Sequence, residues 1–275
     1  MGSLHCLNVG CADASVIITE SATFLVDCHN IGDYSNLLPA SKMLRGVFIT
    51  HQHSDHYSGL AYLKNNGYAI EYLIYSPYER RYGDQSVTIE EWNEFKAHRE
   101  HFEKKGTKSY ASYRQDTFEK PYWEVDGLKF WMLGPKKSTA TSETRKLHDA
   151  CLVFRADLGE RRCTFTGDAS DGNLADVAEI NHICDDILHA SHHASIEGAN
   201  LEFIKNCNAQ YTLISTASGK YDFSFVRASG LNSPDEGHMV ALSLSISDKD
   251  HLTQAWTFQD HGQSKSETFI FTRVK

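Results

Sequence analysis

A layered α/β architecture, with sheets buried between helices, is the fold the sequence predicts. Three observations predict it. Short apolar runs rich in Val, Ile, Leu and Phe recur along the 275 residues, and each ends at a polar cluster. Helical stretches separate several of these runs. At 41% hydrophobic and 23% charged, the chain can also bury a substantial core.

The opening reads as a meander, with strands over residues 4–9, 15–19 and 23–27 and turn-forming residues 10–13 between the first two. Residues 47–50 give another buried strand, and a helix over 57–64 stops near Asn65-Asn66-Gly67. From 78 to 120 the composition shifts to Glu, Lys, Arg and Tyr, with Trp92, Phe95 and Phe102 spaced for one helical face. This stretch is expected as a helical insertion. It reads either as a lid framing a substrate with Arg80, Arg81, Tyr82 or Arg99, or as a solvated helical pair whose aromatic underside packs on the body.

Strands resume over 123–125 and 128–133, a Ser/Thr-rich loop fills 138–144, and 150–157 with 162–166 form a hairpin closed near Gly159. A helix over 173–181, strands over 186–190 and 211–216, and three last strands near 242–247, 252–258 and 268–272 complete the chain. No repeat or linker interrupts it, so a single domain over 1–275 with the insertion at 78–120 is expected.

Composition narrows the setting. Seven cysteines, odd in number and scattered through apolar runs without a C-x-x-C pair, suit buried thiols in a reducing compartment, and a cytoplasmic location is expected. No apolar run approaches the roughly eighteen residues of a membrane span, and no basic patch precedes an apolar block at the N-terminus. Neither export nor a membrane anchor is expected. A net charge of −9 argues against a broad surface for holding long nucleic acid.

The stretch that carries chemistry is Thr50-His51-Gln52-His53-Ser54-Asp55-His56, directly after the strand at 47–50. Three imidazoles and a carboxylate crowd together there, a pattern that chance would give in about three of a thousand chains of this composition. Residues at i and i+2 of an extended segment point the same way, so His51 and His53 can bind one ion. Asp55 and His56 belong to the turn that follows and can serve a second.

Two ions need further ligands, and these should appear at strand ends. His148 stands just before an apolar run and completes the first set. Asp168 follows Thr164-Phe165-Thr166-Gly167, where a carboxylate can bridge two cations. His192 or His193 completes the second set with Asp55 and His56. His189 and the remaining histidines read as structural. Two divalent ions carry four positive charges and the two candidate carboxylates two negative ones, so the site can be locally positive on an acidic protein and take an anionic substrate. Mixed nitrogen and oxygen ligation without thiolate suits zinc, with manganese or iron as alternatives.

The order H-x-H-x-D-H, His, Gly-Asp, His resembles the metallo-β-lactamase fold superfamily through most of the chain. More narrowly, Val9-Gly10-Cys11-Ala12-Asp13-Ala14-Ser15, Phe24-Leu25-Val26-Asp27, Thr164-Phe165-Thr166-Gly167-Asp168 and His192-His193-Ala194-Ser195 are similar to its ComEC-like branch, that of the nuclease domain of bacterial DNA-uptake channels. The chain departs from that branch at Cys11-Ala12, where Gln-Gly is usual, at Cys28-His29, where Ala-Gly is common, at Ala194, where Gly is usual, and at His148, where Asn is frequent.

The resemblance implies a four-layer αββα sandwich with a metal pair at one edge of the two sheets. His51, His53 and His148 would hold one ion, and Asp55, His56 and His193 the other. Asp168 would be shared, with a bridging hydroxide as nucleophile. His192 then lines the site as a donor to the leaving group, although the choice between His192 and His193 as ligand stays open. Asp55 can also orient the nucleophile, and Asp13 and Asp27 can accept a proton from a ligand imidazole. Ser218, Lys220 and Tyr221 are candidates for anion binding or form a plain polar turn.

Three functions follow. The first is a dinuclear metal-dependent phosphodiesterase or nuclease acting on single-stranded nucleic acid or a nucleotide. The second is hydrolysis of carboxylic esters, lactones or amides by the same metals, and the third is a non-catalytic metal-binding sensor or accessory.

Overall fold

The computed structural model describes residues 2–181, 183–184, 186–216, 222–226, 238–248, 251–260 and 263–272, with side chains up to Thr216. By its internal contacts the chain falls into two compact units, Met1–Ser215 and Thr216–Lys275.

The first unit opens with β1 (Ser3–Cys6), β2 (Ala14–Ile18) and β3 (Thr23–Cys28), followed by β4 (Met43–Ile49), α1 (Ser54–Tyr57), α2 (Gly59–Asn65), β5 (Ala69–Tyr75), α3 (Ile89–Lys104) and β6 (Lys108–Ala111). These six strands form one sheet in sequence order. It is antiparallel from β1 to β3 and parallel from β3 to β6. The expected insertion thus holds a single long helix, α3, and then returns a strand to the sheet. A capping box starts that helix: Thr88 accepts from the Glu91 backbone, and Glu91 reaches back to the Thr88 amide. Its buried side is Phe95, His98 and Phe102, while Trp92 is only partly covered.

The second sheet runs β12-β11-β10-β9-β8-β7. It is built from β7 (Trp123–Val125), β8 (Leu128–Gly134), β9 (Val153–Leu158), β10 (Arg161–Phe165), β11 (Ile187–His189) and β12 (Tyr211–Leu213). Helix α4 (Lys137–Thr141) lies within the segment expected as a loop, and α5 (Asp171–Ala178) and α6 (Leu201–Cys207) complete this half. The β9–β10 hairpin turns at Gly159, at φ +63°.

Three core clusters define the layers. Leu25, Val47 and Ile49 pack with Leu60, Leu63, Phe95 and Phe102 on one side of the first sheet. Phe24, Val26 and Phe48 point the other way, onto Phe130, Phe154 and Phe165 of the second sheet. That alternation along β3 and β4 is the period-2 signature of strands covered on both faces. Phe48 stacks on Phe154 with ring centroids 4.7 Å apart, and each such buried ring contributes about 2–3 kcal/mol of transfer free energy. Val153 and Leu133 meet Leu174, Val177 and Phe203 of α5 and α6 beyond the second sheet. The order is helix, sheet, sheet, helix.

The second unit carries β13 (Asp222–Val226), β14 (His238–Asp248), β15 (His251–Asp260) and β16 (Gln263–Thr272), an antiparallel meander in sequence order. Ser218, Lys220 and Tyr221 lie outside the described residues. No helix among the described residues is long and apolar enough to cross a membrane.

Candidate metal centre

The carboxyl ends of the parallel strands converge at one edge of both sheets, where open α/β sheets place their ligands. β3 ends near Asp27, β4 delivers His51 and His53, β10 leads to Asp168, and β11 leads to His192 and His193.

Four donors form the first set: His51, His53, His148 and Asp168, with one ligand atom of each within 4.8 Å of the others. His51 Nε2 is 3.1 Å from His53 Nδ1 and 3.7 Å from Asp168 Oδ2. His148 Nε2 is 3.3 Å from His53 Nδ1 and 3.8 Å from the same carboxylate oxygen. His148 is placed by the single turn Leu147–Ala150, and Asp168 by Gly167, whose φ of +46° and close approach to Thr50 and Cys151 leave no room for a Cβ.

The second set gathers Asp55, His56 and His193, again within 4.8 Å. Asp168 faces it with its other oxygen: Oδ1 lies 3.4 Å from His56 Nε2 and 3.9 Å from His193 Nε2. Asp55 Oδ2 is 3.7 Å from His193 Nε2. Gly59 allows α2 to sit against the end of β3, since a Cβ there would overlap the Cys28 carbonyl.

A cation fits this donor chemistry. Nε2 of His56, Nε2 of His193 and Oδ1 of Asp168 are buried without a hydrogen-bond partner, a costly state that a shared divalent ion would relieve. The imidazoles and carboxylates of both sets suit divalent metals, with Asp168 between them.

Behind the donors lies a supporting network. Asp27, held at φ +50°, accepts from the Thr50 amide at 2.8 Å, from the Thr50 hydroxyl at 2.7 Å and from His56 Nδ1 at 2.8 Å. Such an acceptor leaves His56 Nε2 to face the site. The Thr50 hydroxyl also lies 3.3 Å from His51 Nδ1, so one carboxylate steadies both sets. Asp13 is buried, with Oδ2 3.8 Å from His56 Nδ1 and Oδ1 3.9 Å from His193 Nδ1. It also forms a candidate cluster with His56 and Asp168.

His192 stands at the rim, its Nε2 3.7 Å from Asp168 Oδ2 and its Nδ1 3.9 Å from Glu197. His192, His193 and Ala194 are all in the left-handed region, at φ +51°, +53° and +63°. Three successive non-glycine residues there store strain of about 1–2 kcal/mol each, the kind of cost that clusters at functional sites.

Burial and charge set the protonation of the metal-free donors. Burial disfavours the His56 imidazolium, but Asp168 and Asp27 on either side hold its proton, and its pKa is raised well above the usual histidine value. His193 is raised for the same reason: burial opposes the charge, and Asp55, Asp168 and Asp13 outweigh it. Desolvation together with the neighbouring imidazoles lowers His148 to about 4. Burial works against the Asp168 carboxylate, yet the surrounding imidazoles keep it ionised well below the ordinary range.

Three contributors escaped the sequence reading. Thr50 sits just before the His cluster, and its hydroxyl links Asp27 to the ligands. The Ser86 carbonyl lies 2.8 Å from His53 Nε2, a main-chain contact with no residue-type signature. His189, read as structural, approaches Asp13 Oδ1 at 3.4 Å and Ser215 Oγ at 3.0 Å. Cys151 approaches His51 Nδ1 at 4.0 Å, but burial and the nearby Asp168 raise its pKa well above that of a free thiol, so it is a neutral neighbour. Asp13, Asp27, Asp55 and Asp168 together match the charge of two divalent ions. Two of these, Asp13 and Asp27, stand behind the donors, so the donor set itself keeps the two carboxylates counted from the sequence.

Residues 9–133 match the family model described as the metallo-beta-lactamase superfamily. That match and the layered helix–sheet–sheet–helix order agree on a metallo-β-lactamase-like fold, with donors at its sheet edge that suit divalent metals. Similar solved structures include the metallo-beta-lactamase fold protein YhfI from Bacillus subtilis, 17% identical, covering 78% of this chain and 86% of that one at a TM-score of 0.47. A diphosphatase from the PhnP family is 13% identical over 77% and 85% of the two chains, at 0.46. Human tRNase Z, short form, is 16% identical over 79% and 93%, at 0.43. A search of curated proteins finds no match.

Proposed function

We propose that the protein is a dinuclear phosphodiesterase of the ComEC-like branch that cleaves single-stranded nucleic acid or a nucleotide with two zinc ions. The observation that carries the dinuclear reading is the divided Asp168 carboxylate, with Oδ2 facing His51 and His148 and Oδ1 facing His56 and His193. The ComEC-like motifs favour a phosphodiester over a carboxylic ester.

His51, His53, His148 and Asp168 would hold one ion, and Asp55, His56, His193 and Asp168 the other. Bound divalent ions lower the pKa of a water to about 7 and offset negative charge developing on the attacked group. The chain's own residues do the rest. Asp27 and Thr50 fix the tautomers of His56 and His51. Asp55, partly exposed beside His193, orients the attacking water. His192 at the rim, paired with Glu197, donates a proton to the departing oxygen. The seven cysteines, five of them buried, fit the cytoplasm.

Zinc-loaded protein is expected to hydrolyse bis-p-nitrophenyl phosphate and single-stranded DNA, with loss of both activities on chelation and in Asp168→Ala. A protein that turns over esters or β-lactams but no phosphodiester overturns the proposal.

A further inference from the structure

We propose that the cleft between residues 81–86 and 143–146 is a subsite for the phosphodiester backbone of a single-stranded oligonucleotide. The inference deepens the phosphodiesterase reading and rests on it for the choice of ligand. The cleft has a volume of about 630 Å³, and one wall of it is also a wall of the metal centre. Ser86 makes that join. Its carbonyl is the partner of His53 Nε2, and its hydroxyl accepts from the Leu147 amide at 3.0 Å, next to the ligand His148. The cleft therefore lies behind His53, one imidazole ring from the donors of the first set.

The charge in the cleft favours an anion. Arg81, Arg145 and Lys146 line it against two carboxylates, Asp84 and Glu143. Asp84 is engaged by the Tyr78 hydroxyl and by the Ser86 amide and hydroxyl. Arg145 is 6% exposed, lies 5.2 Å over the Tyr78 ring and donates to the Glu79 carbonyl, so its guanidinium is fixed in place. Arg81 donates to the carbonyls of Thr141 and Ser142 at 3.2 Å and ties the two loops together. These cations extend a positive field outward from the metal centre along the cleft.

The shape favours an extended chain. A second cavity of about 390 Å³ shares Thr144 and Arg145 with the first and continues past Ser138, Thr139 and Ser142. Its one carboxylate, Asp149, accepts from the Lys146 amide at 2.8 Å and from Ser170 Oγ at 2.5 Å. Hydroxyls and guanidinium in a row suit successive phosphates. At the outer end Tyr82 is fully solvent-exposed, a ring on which an unpaired base can stack and a duplex base cannot.

The test is the affinity of a fluorescein-labelled oligothymidylate of about ten nucleotides, read by anisotropy on full-length Asp168→Ala and on wild type held in chelator. Tyr82→Ala is expected to weaken binding about tenfold. Lys146→Ala should reduce the slope of log affinity against log salt by about one. Lys129→Ala, outside the cleft, should match the parent. Equal affinities and slopes across these proteins, or tighter binding of a duplex of the same length, overturn the subsite. Turnover of bis-p-nitrophenyl phosphate by the wild type judges the phosphodiesterase reading separately, so one can fail while the other stands.

Discussion

His53 Nε2 lies 2.8 Å from the Ser86 carbonyl oxygen. A carbonyl can only accept, so Nε2 carries the proton and Nδ1 presents its lone pair to His51 and His148. His53 thus differs from His51 and His148, which face the first site through Nε2. The loop before α3 selects the working nitrogen of a candidate ligand three elements upstream.

Removing that nitrogen should take one ion and leave the other. His53→Ala is expected to lower bound zinc by about one equivalent per chain, whereas Asp168→Ala, which serves both sets, lowers it by more than one. Elemental analysis after gel filtration decides. Equal losses in the two variants would refute the shared role of Asp168.

Asp27 should matter without touching metal. In Asp27→Asn the acceptor of His56 Nδ1 and of the Thr50 hydroxyl loses its charge, and a fall of about 10–100-fold in zinc affinity is expected. Competition with a chromophoric chelator measures it. An unchanged affinity would reduce Asp27 to a fold residue.

Metal loading should release protons. With its pKa raised well above the usual histidine value, His56 holds a proton at neutral pH in the metal-free protein, His193 is shifted in the same direction, and coordination through Nε2 must expel the protons held there. Calorimetric titrations with zinc at pH 7 in buffers of different ionisation enthalpy should report at least one proton released per chain. The number should fall as the pH is raised toward and past the metal-free pKa values, since the protons have then already left. Zero release at pH 7 would contradict the assigned protonation.

Ala194 adopts φ +63° at the position where the resembled branch carries glycine. The strain of a Cβ in that region exceeds the entropy glycine adds to the unfolded chain, so Ala194→Gly should raise stability by about 0.5–1 kcal/mol. Thermal unfolding of the metal-free protein is the measurement, and a lower midpoint would contradict the reading.

Much of this was legible because the chemistry is concentrated at strand ends. His51, His53, Asp55 and His56 sit in one loop, and His148, Asp168 and His193 each follow or precede an apolar run, so residue type and position together marked them. The two buried sheets were legible from Phe24, Phe48, Phe154 and Phe165. Strand β5 went unassigned although Ile70, Leu73 and Ile74 mark it, and β6 did so because most of its residues are solvent-facing. Contacts made by main chain, such as that of Ser86, leave no trace in residue type.

The two halves of the cage come from different sheets, with donors spread from His51 to His193. During synthesis the ribosome must therefore deliver residue 193 before the second ion can be held, and a truncated or half-made chain offers only scattered imidazoles. Metal capture at the proposed site would thereby be coupled to completion of the Met1–Ser215 unit.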